Sequence, residues 1–240
     1  MFHNHYPIHY NSTNVFAIGG MSCCGKTSTI PSQHYCKVNG YLSIDVKNYN
    51  IHPLVAHAYV TQSMNLLNTA QNIIMDRTPL DNLAYQLTYY MMAKDGESNQ
   101  LSLYGLCHQY IMANQLEPML EMVTHKFNLL FIIDSNIPTW QERMRQRGTP
   151  GDVAKSHYPK YGYQAEAFRY LATRCQIRLF DLDHLRTSLG TESMQILLDH
   201  IKTSIHFDES TVASIPPPIE RVIDLTYRDI HKRTLQVSKR

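Results

Sequence analysis

Long hydrophobic stretches are missing from this chain of 240 residues: its longest hydrocarbon run, Leu129 to Ile133, falls far short of the roughly 20 residues that cross a bilayer. The opening MFHNHYPIHYNST also lacks the basic segment and apolar core of a secretory leader. Neither secretion nor membrane insertion is expected. Charge is scarce too, at 18% of residues against an average of about 25%. With 22 Lys and Arg against 20 Asp and Glu the formal net charge is only +2, which excludes a polycation drawn to nucleic acid or lipid by its overall field. Cysteines are few and unmatched: Cys23, Cys24, Cys36, Cys107 and Cys175 make five, with no repeated C-x-x-C. An odd count in a chain of this size argues against a disulfide scaffold or a zinc ribbon. It favours a reducing, intracellular setting, cytoplasmic with the nucleus as an alternative. The 13 histidines form no tight ligand spacing, and the single tryptophan, Trp140, reads as a packing residue at a helix start.

What is present is enough apolar content, 43% of residues, to bury one core. Five short apolar stretches punctuate the first 185 residues: VFAIGG (15–20), YLSIDV (41–46), NIIMDR (72–77), NLLFIIDS (128–135) and QIRLFDLD (176–183). Near-continuous aliphatic runs are the mark of strands buried on both faces and joined by crossover helices, so a parallel α/β sheet is expected. Helices are expected over 54–69, over 102–126 with a break near Pro118, and over 138–147, 163–174 and 191–204. Thr78-Pro79-Leu80-Asp81 reads as a further helix start, with Thr78 as cap, Pro79 at the first position and an acid three residues on. The expected organisation is an extension (1–13), one domain (14–206), and a proline-containing linker with a basic tail (207–240). The last 20 residues hold six Lys and Arg and two Asp, a solvated tail or a docking segment for a partner or nucleic acid.

The most informative segment is Gly20-Met21-Ser22-Cys23-Cys24-Gly25-Lys26-Thr27, which fits G-x-x-x-x-G-K-[ST] directly after the first apolar stretch. Glycines there let backbone N–H groups turn inward around a phosphate, and the following helix, Ser28 included, presents its positive end to the same anion. Lys26 supplies a point charge for the β- and γ-phosphates of ATP, and Thr27 a hydroxyl for Mg²⁺. Two details depart from an ideal loop. Pro31 implies that the helix is short or kinked. The Cys23-Cys24 pair lies where N–H groups and Lys26 would favour a thiolate, which makes redox control one reading and small residues that merely fit a loop the other.

Asn72 to Tyr85, with Asp76-Arg77 closing a strand before a capped helix, resembles the D-R-[YST] segment of thymidylate kinases and the E-R-S segment of deoxynucleoside kinases. Glu142-Arg143-Met144-Arg145-Gln146-Arg147-Gly148 looks like the arginine-rich lid of that superfamily, and the segment from Tyr161 is similar to its following helix. The resemblance runs over residues 14–205 and implies a P-loop NTPase fold: three α/β/α layers, a five-stranded parallel sheet, a helical lid, ATP-dependent phosphorylation of a nucleoside or its monophosphate, and often a homodimer. The residues point the same way. Asp76 could hold Mg²⁺ through a water and Arg77 could clamp the acceptor or the moving phosphoryl group. Arg143 and Arg147, four apart, share a helix face while Arg145 points away, which makes the first two the lid candidates. Asp45, ending the second stretch, stands where nucleoside kinases place a base, whereas Asp76 in place of Glu leans toward monophosphates. Tyr59 and Gln62 are candidates to stack on and read a base. Asp134 resembles a Walker B acid but ranks below Asp76. The interval from Lys26 to Arg77 is shorter than those families usually have, which implies a reduced acceptor pocket. Kinase action on a deoxynucleoside or its monophosphate is thus the expectation. A different small hydroxyl acceptor, or a nucleotide-binding regulatory protein with little turnover, are the alternatives.

Overall fold

A computed structural model describes residues 15–30, 36–39, 60, 61, 63, 64, 73–96 and 101–204. Five strands form one parallel sheet: β1 (Val15–Gly20), β2 (Cys36–Asn39), β3 (Ile73–Asp76), β4 (Asn128–Ile133) and β5 (Arg178–Asp181), in the order β2-β3-β1-β4-β5. β1 is central, with Val15 opposite Ile73 on β3 and Gly20 opposite Ile132 on β4. Ala17, Ile18, Ile74, Phe131 and Ile132 are wholly buried, as expected of strands covered on both faces.

The helices are α1 (Lys26–Thr29), α2 (Asp81–Lys94), α3 (Leu103–Ala113), α4 (Glu117–Lys126), α5 (Ile137–Arg147), α6 (Pro150–Ser156), α7 (Tyr163–Cys175), α8 (Leu182–Leu189) and α9 (Met194–Ser204). The connection from β1 to β2 runs one way across the sheet, and those from β3 to β4 and β4 to β5 run the other. Right-handed crossovers therefore put α1 on one face and α2 to α7 on the opposite face. The packing follows: α2, α3 and α7 contact one another, while α1 lies against α9 and α9 against α8. The strands' carboxyl ends thus open a crevice above β1, where the connections diverge and where open α/β sheets bind ligands.

The structure sharpens these boundaries. The second described strand is Cys36–Asn39; the expected stretch 41–46, with Asp45 near its end, lies outside the described residues. An edge strand paired only with β3 through Cys36–Ile73 and Asn39–Asp76 needs no continuous apolar run. Asp45, Tyr59, Gln62, Pro31, most of 54–69, the extension and the tail lie outside the described residues. The helix after β3 begins at Asp81 with Leu80 as cap, three residues beyond Thr78. The capping contacts are nonetheless present, because Asp81 Oδ1 accepts from the Thr78 N–H at 2.9 Å and from its hydroxyl at 2.7 Å. The break in 102–126 falls at residues 114–116, ahead of Pro118, which sits in the first turn of α4 where proline is tolerated.

Candidate active site

The loop from Gly20 to Thr27 leaves β1 through two backbone conformations that only glycine adopts easily. Gly20 has φ +126° and lies so close to the Ile132 carbonyl that a β-carbon would overlap it; Gly25, at φ +75°, faces Leu198 of α9. Lys26, 6% exposed, folds back over the loop and donates to the carbonyls of Gly20 at 3.0 Å and Met21 at 2.5 Å. Its ammonium therefore sits over the loop itself, where a phosphate would meet it. The helix α1 stops after four residues and Ile30 is extended, as a residue before proline prefers. So short a helix has little macrodipole, and the cradle rests on loop N–H groups and Lys26 rather than on the helix end anticipated from sequence. Ser28 is exposed on this helix.

Thr27 Oγ1 donates to Asp76 Oδ2 at 2.6 Å across 49 residues of sequence. A hydroxyl in the first turn of α1 and a carboxylate at the end of β3 are hard oxygen donors of the kind Mg²⁺ takes alongside phosphate oxygens and water. Among the described residues no group of three His, Cys, Asp or Glu could hold a metal, so any such ion would rely on its ligand for most of its shell.

A second layer braces the loop from outside. Trp140, wholly buried and stacked on Tyr161 at 5.9 Å between ring centres, donates its indole N–H to the Ser22 carbonyl at 2.6 Å. Arg143 Nε donates to the Cys23 carbonyl at 3.0 Å while its guanidinium also meets Asp134. Asp134 is wholly buried and receives Arg186 of α8 as well, at 3.2 Å and 2.5 Å. Arg186 also meets Asp183 at 3.5 Å and Glu192 at 3.8 Å, so Asp134 anchors an ion-pair network beside the loop in which its own carboxylate is the buried member. Arg147 approaches the Cys23 sulfur at 3.8 Å and Asp152 at 3.6 Å, and Arg145 pairs with Glu142 in solvent.

This layer alters four sequence expectations. Arg143, expected as a lid residue, braces the loop here and shares its charge with Asp134. Asp134, which resembled a Walker B acid in sequence, is occupied by two arginines. Trp140 does pack, but it also clamps the loop. Burial pushes the Cys24 thiol up to about 12 despite Lys26 and Arg143, so this cysteine stays protonated. Cys23, Cys24, Cys107 and Cys175 are all unpaired thiols.

On the β3 side Arg77 has φ +103°, a costly conformation for a side chain of its size. It is held because its N–H donates to the Ile18 carbonyl at 2.9 Å, extending the β1–β3 ladder by one residue. Its guanidinium donates to the Tyr85 hydroxyl at 3.0 Å and lies 3.6 Å from Asp81. The Tyr85 hydroxyl is also 3.3 Å from Ser22 Oγ, which links Arg77 to the phosphate loop. Lys155 of α6 reaches over the same ring, 5.6 Å from its centre. Burial raises the Tyr85 phenol, yet Arg77, Lys26 and Lys155, together with Ser22, outweigh it and bring it down to about 8. Burial also raises Asp81, whose Oδ2 has no hydrogen-bond partner.

Sequence reading placed the loop, Thr27, Asp76 and Arg77, and the structure gathers them. It missed Tyr85, Lys155 and Arg186. Tyr85 was legible only as a position one turn beyond Asp81 on a helix whose other apolar residues fill the core; Lys155 and Arg186 carried no signal, because their neighbours are distant in sequence.

Lys26, Arg77 and Lys155 thus gather around Tyr85 with Asp81, while Arg143 and Arg186 gather around Asp134. Compared with known proteins, the chain matches no protein-family model and no curated protein. The solved structures similar to it include Polyphosphate Kinase 2 from Arthrobacter aurescens TC1, at 12% identity and a TM-score of 0.38, over 93% of this chain and 75% of that one. A likeness of that degree assigns neither a reaction nor a ligand. The conclusion for this chain rests on its own residues: a parallel α/β sheet whose first strand runs into a G-x-x-x-x-G-K-T loop facing an Asp-Arg pair at the end of the neighbouring strand.

Proposed function

We propose that the protein is an ATP-dependent phosphotransferase that moves the γ-phosphoryl group to a small acceptor, a deoxynucleoside or its monophosphate. The observation that carries this reading is the pairing of Thr27 with Asp76 at 2.6 Å beneath a loop capped by Lys26. Magnesium, when bound with the nucleotide, would neutralise charge on the phosphates; Thr27 and Asp76 would hold it. The remaining work falls to the chain. Loop N–H groups and Lys26 fix the β- and γ-phosphates, and Trp140 and Arg143 keep the loop from yielding. Arg77 offers the acceptor side a guanidinium matched to an anionic oxygen. A monophosphate already carries such an oxygen and needs no base, so Arg77 inclines the reading toward a phosphorylated acceptor.

The test is a phosphorylation screen with ATP and Mg²⁺ over nucleosides and monophosphates of both sugars, with Lys26→Ala beside the unaltered protein. Product from one acceptor class, absent in the variant, is the expected result. ATP binding without product from any acceptor would replace this reading with that of a nucleotide-binding regulatory protein.

A further inference from the structure

The geometry points to Tyr85 as a positioning residue, one that holds the Arg77 guanidinium against the phosphate loop so that an incoming polyphosphate anion meets Arg77 and Lys155 already aimed. This rests on the phosphotransferase reading for its substrate, but not for its test. Three observations from separate elements meet at this one side chain. The Tyr85 hydroxyl accepts from Arg77 at 3.0 Å, which leaves its own hydrogen for Ser22 Oγ at 3.3 Å. Arg77 is thereby tied to the loop whose crest, the Ser22 carbonyl, is clamped by Trp140 at 2.6 Å. From the other direction, Lys155 lies 5.6 Å from the Tyr85 ring and 5.5 Å from the Tyr161 ring. Each is a cation over an aromatic face.

A guanidinium carried on a strained residue has several side-chain routes, and a buried phenol 8% exposed removes most of them. Asp81 is a competing partner, but at 3.6 Å from Arg77 and with burial raising it, it offers less than the phenol. The charged and titratable groups around Tyr85 are Lys26 from α1, Arg77 from the end of β3, Asp81 from its own helix, Lys155 from α6 and Tyr161. Because the cations dominate, the phenol loses its proton as pH rises through about 8. The resulting phenolate would occupy Arg77 and Lys155 and so oppose an anionic ligand; by linkage, a bound anion would raise the phenol again.

Trp140, the only tryptophan, is a built-in reporter of the loop. The full chain, Tyr85→Phe, Arg77→Ala and the double variant are titrated with inorganic tripolyphosphate, and separately with ATP and Mg²⁺, following Trp140 fluorescence at pH 7 and pH 9.5. Tyr85→Phe is expected to weaken tripolyphosphate binding about fivefold at pH 7, the size of one net hydrogen bond. That effect is expected to vanish in the Arg77→Ala background and, as a ratio to the unaltered protein, to disappear or reverse at pH 9.5. An undiminished effect without Arg77, or the same ratio at both pH values, would overturn the proposal. Should Tyr85→Phe fail to fold by far-UV dichroism, Ser22→Ala in both Arg77 backgrounds reads the same coupling from the other end of the link. The phosphorylation screen on the same samples separates the two readings. Coupling without product from any acceptor keeps Tyr85 and discards the kinase; product without coupling does the reverse.

Discussion

The two walls of the crevice are built on opposite plans. On the β4 side, the loop is fastened by Trp140 and Arg143, and Asp134 holds two arginines in a buried cluster. On the β3 side, Arg77 sits in a strained backbone position beside a buried carboxylate oxygen, Asp81 Oδ2, that has no hydrogen-bond partner. A preformed wall suits a ligand part that is the same in every cycle, the phosphate chain. A wall that stores strain and unmet bonding suits a part that arrives and leaves.

The contrast can be broken from either side. The largest effect is expected from Asp134→Ala, which removes the buried carboxylate shared by the half-buried Arg143 and the buried Arg186 and leaves Arg186 only its longer contacts with Asp183 and Glu192. A loss of about 3–5 kcal/mol is expected, read as a lower midpoint in urea unfolding. Lys26→Ala should leave the fold intact, since the loop keeps its clamps, but should lower turnover roughly 10²–10³-fold, read in the phosphorylation assay. Arg77→Ala should depress turnover by about tenfold to a hundredfold while ATP affinity falls only about fivefold, the share that Tyr85 delivers through Arg77. Equal losses in both would show that the two walls are one unit. Arg147→Ala should be the mildest: more than half exposed, its ion pair with Asp152 is worth about 0–1 kcal/mol, and unfolding midpoints should barely move. Cysteine labelling sharpens the same picture. Iodoacetamide at pH 7.5 should reach Cys23 well before the buried Cys24, and peptide mass mapping would detect the order.

Legibility followed the length scale of each interaction. VFAIGG, NIIMDR and NLLFIIDS are strands because unbroken aliphatic runs bounded by polar residues have few other ways to be buried. The edge strand β2, CKVN, has no such run, and the apolar stretch at 41–46 drew attention away from it. Thr78 and Asp81 were readable as a capping pair because their contact is three residues long. Asp134 with Arg186, and Trp140 with Ser22, span 52 and 118 residues. No local pattern announces them. Arg143 was read as a lid arginine for the sound reason that it shares a face with Arg147; in the fold Arg143 meets Asp134 just beyond β4, which only the tertiary structure decides.

From its sequence alone this chain determined that it would form a parallel α/β sheet with a phosphate loop after the first strand, and an Asp-Arg pair closing a later one. Those properties depend on hydrophobic runs and glycine conformations, which are local. Which cations face the ligand and which are spent on a buried carboxylate was settled only by tertiary structure, and so was the drop of the Tyr85 phenol. Charge interactions act through space, and their strength is set by distance and burial, neither of which the order of residues records.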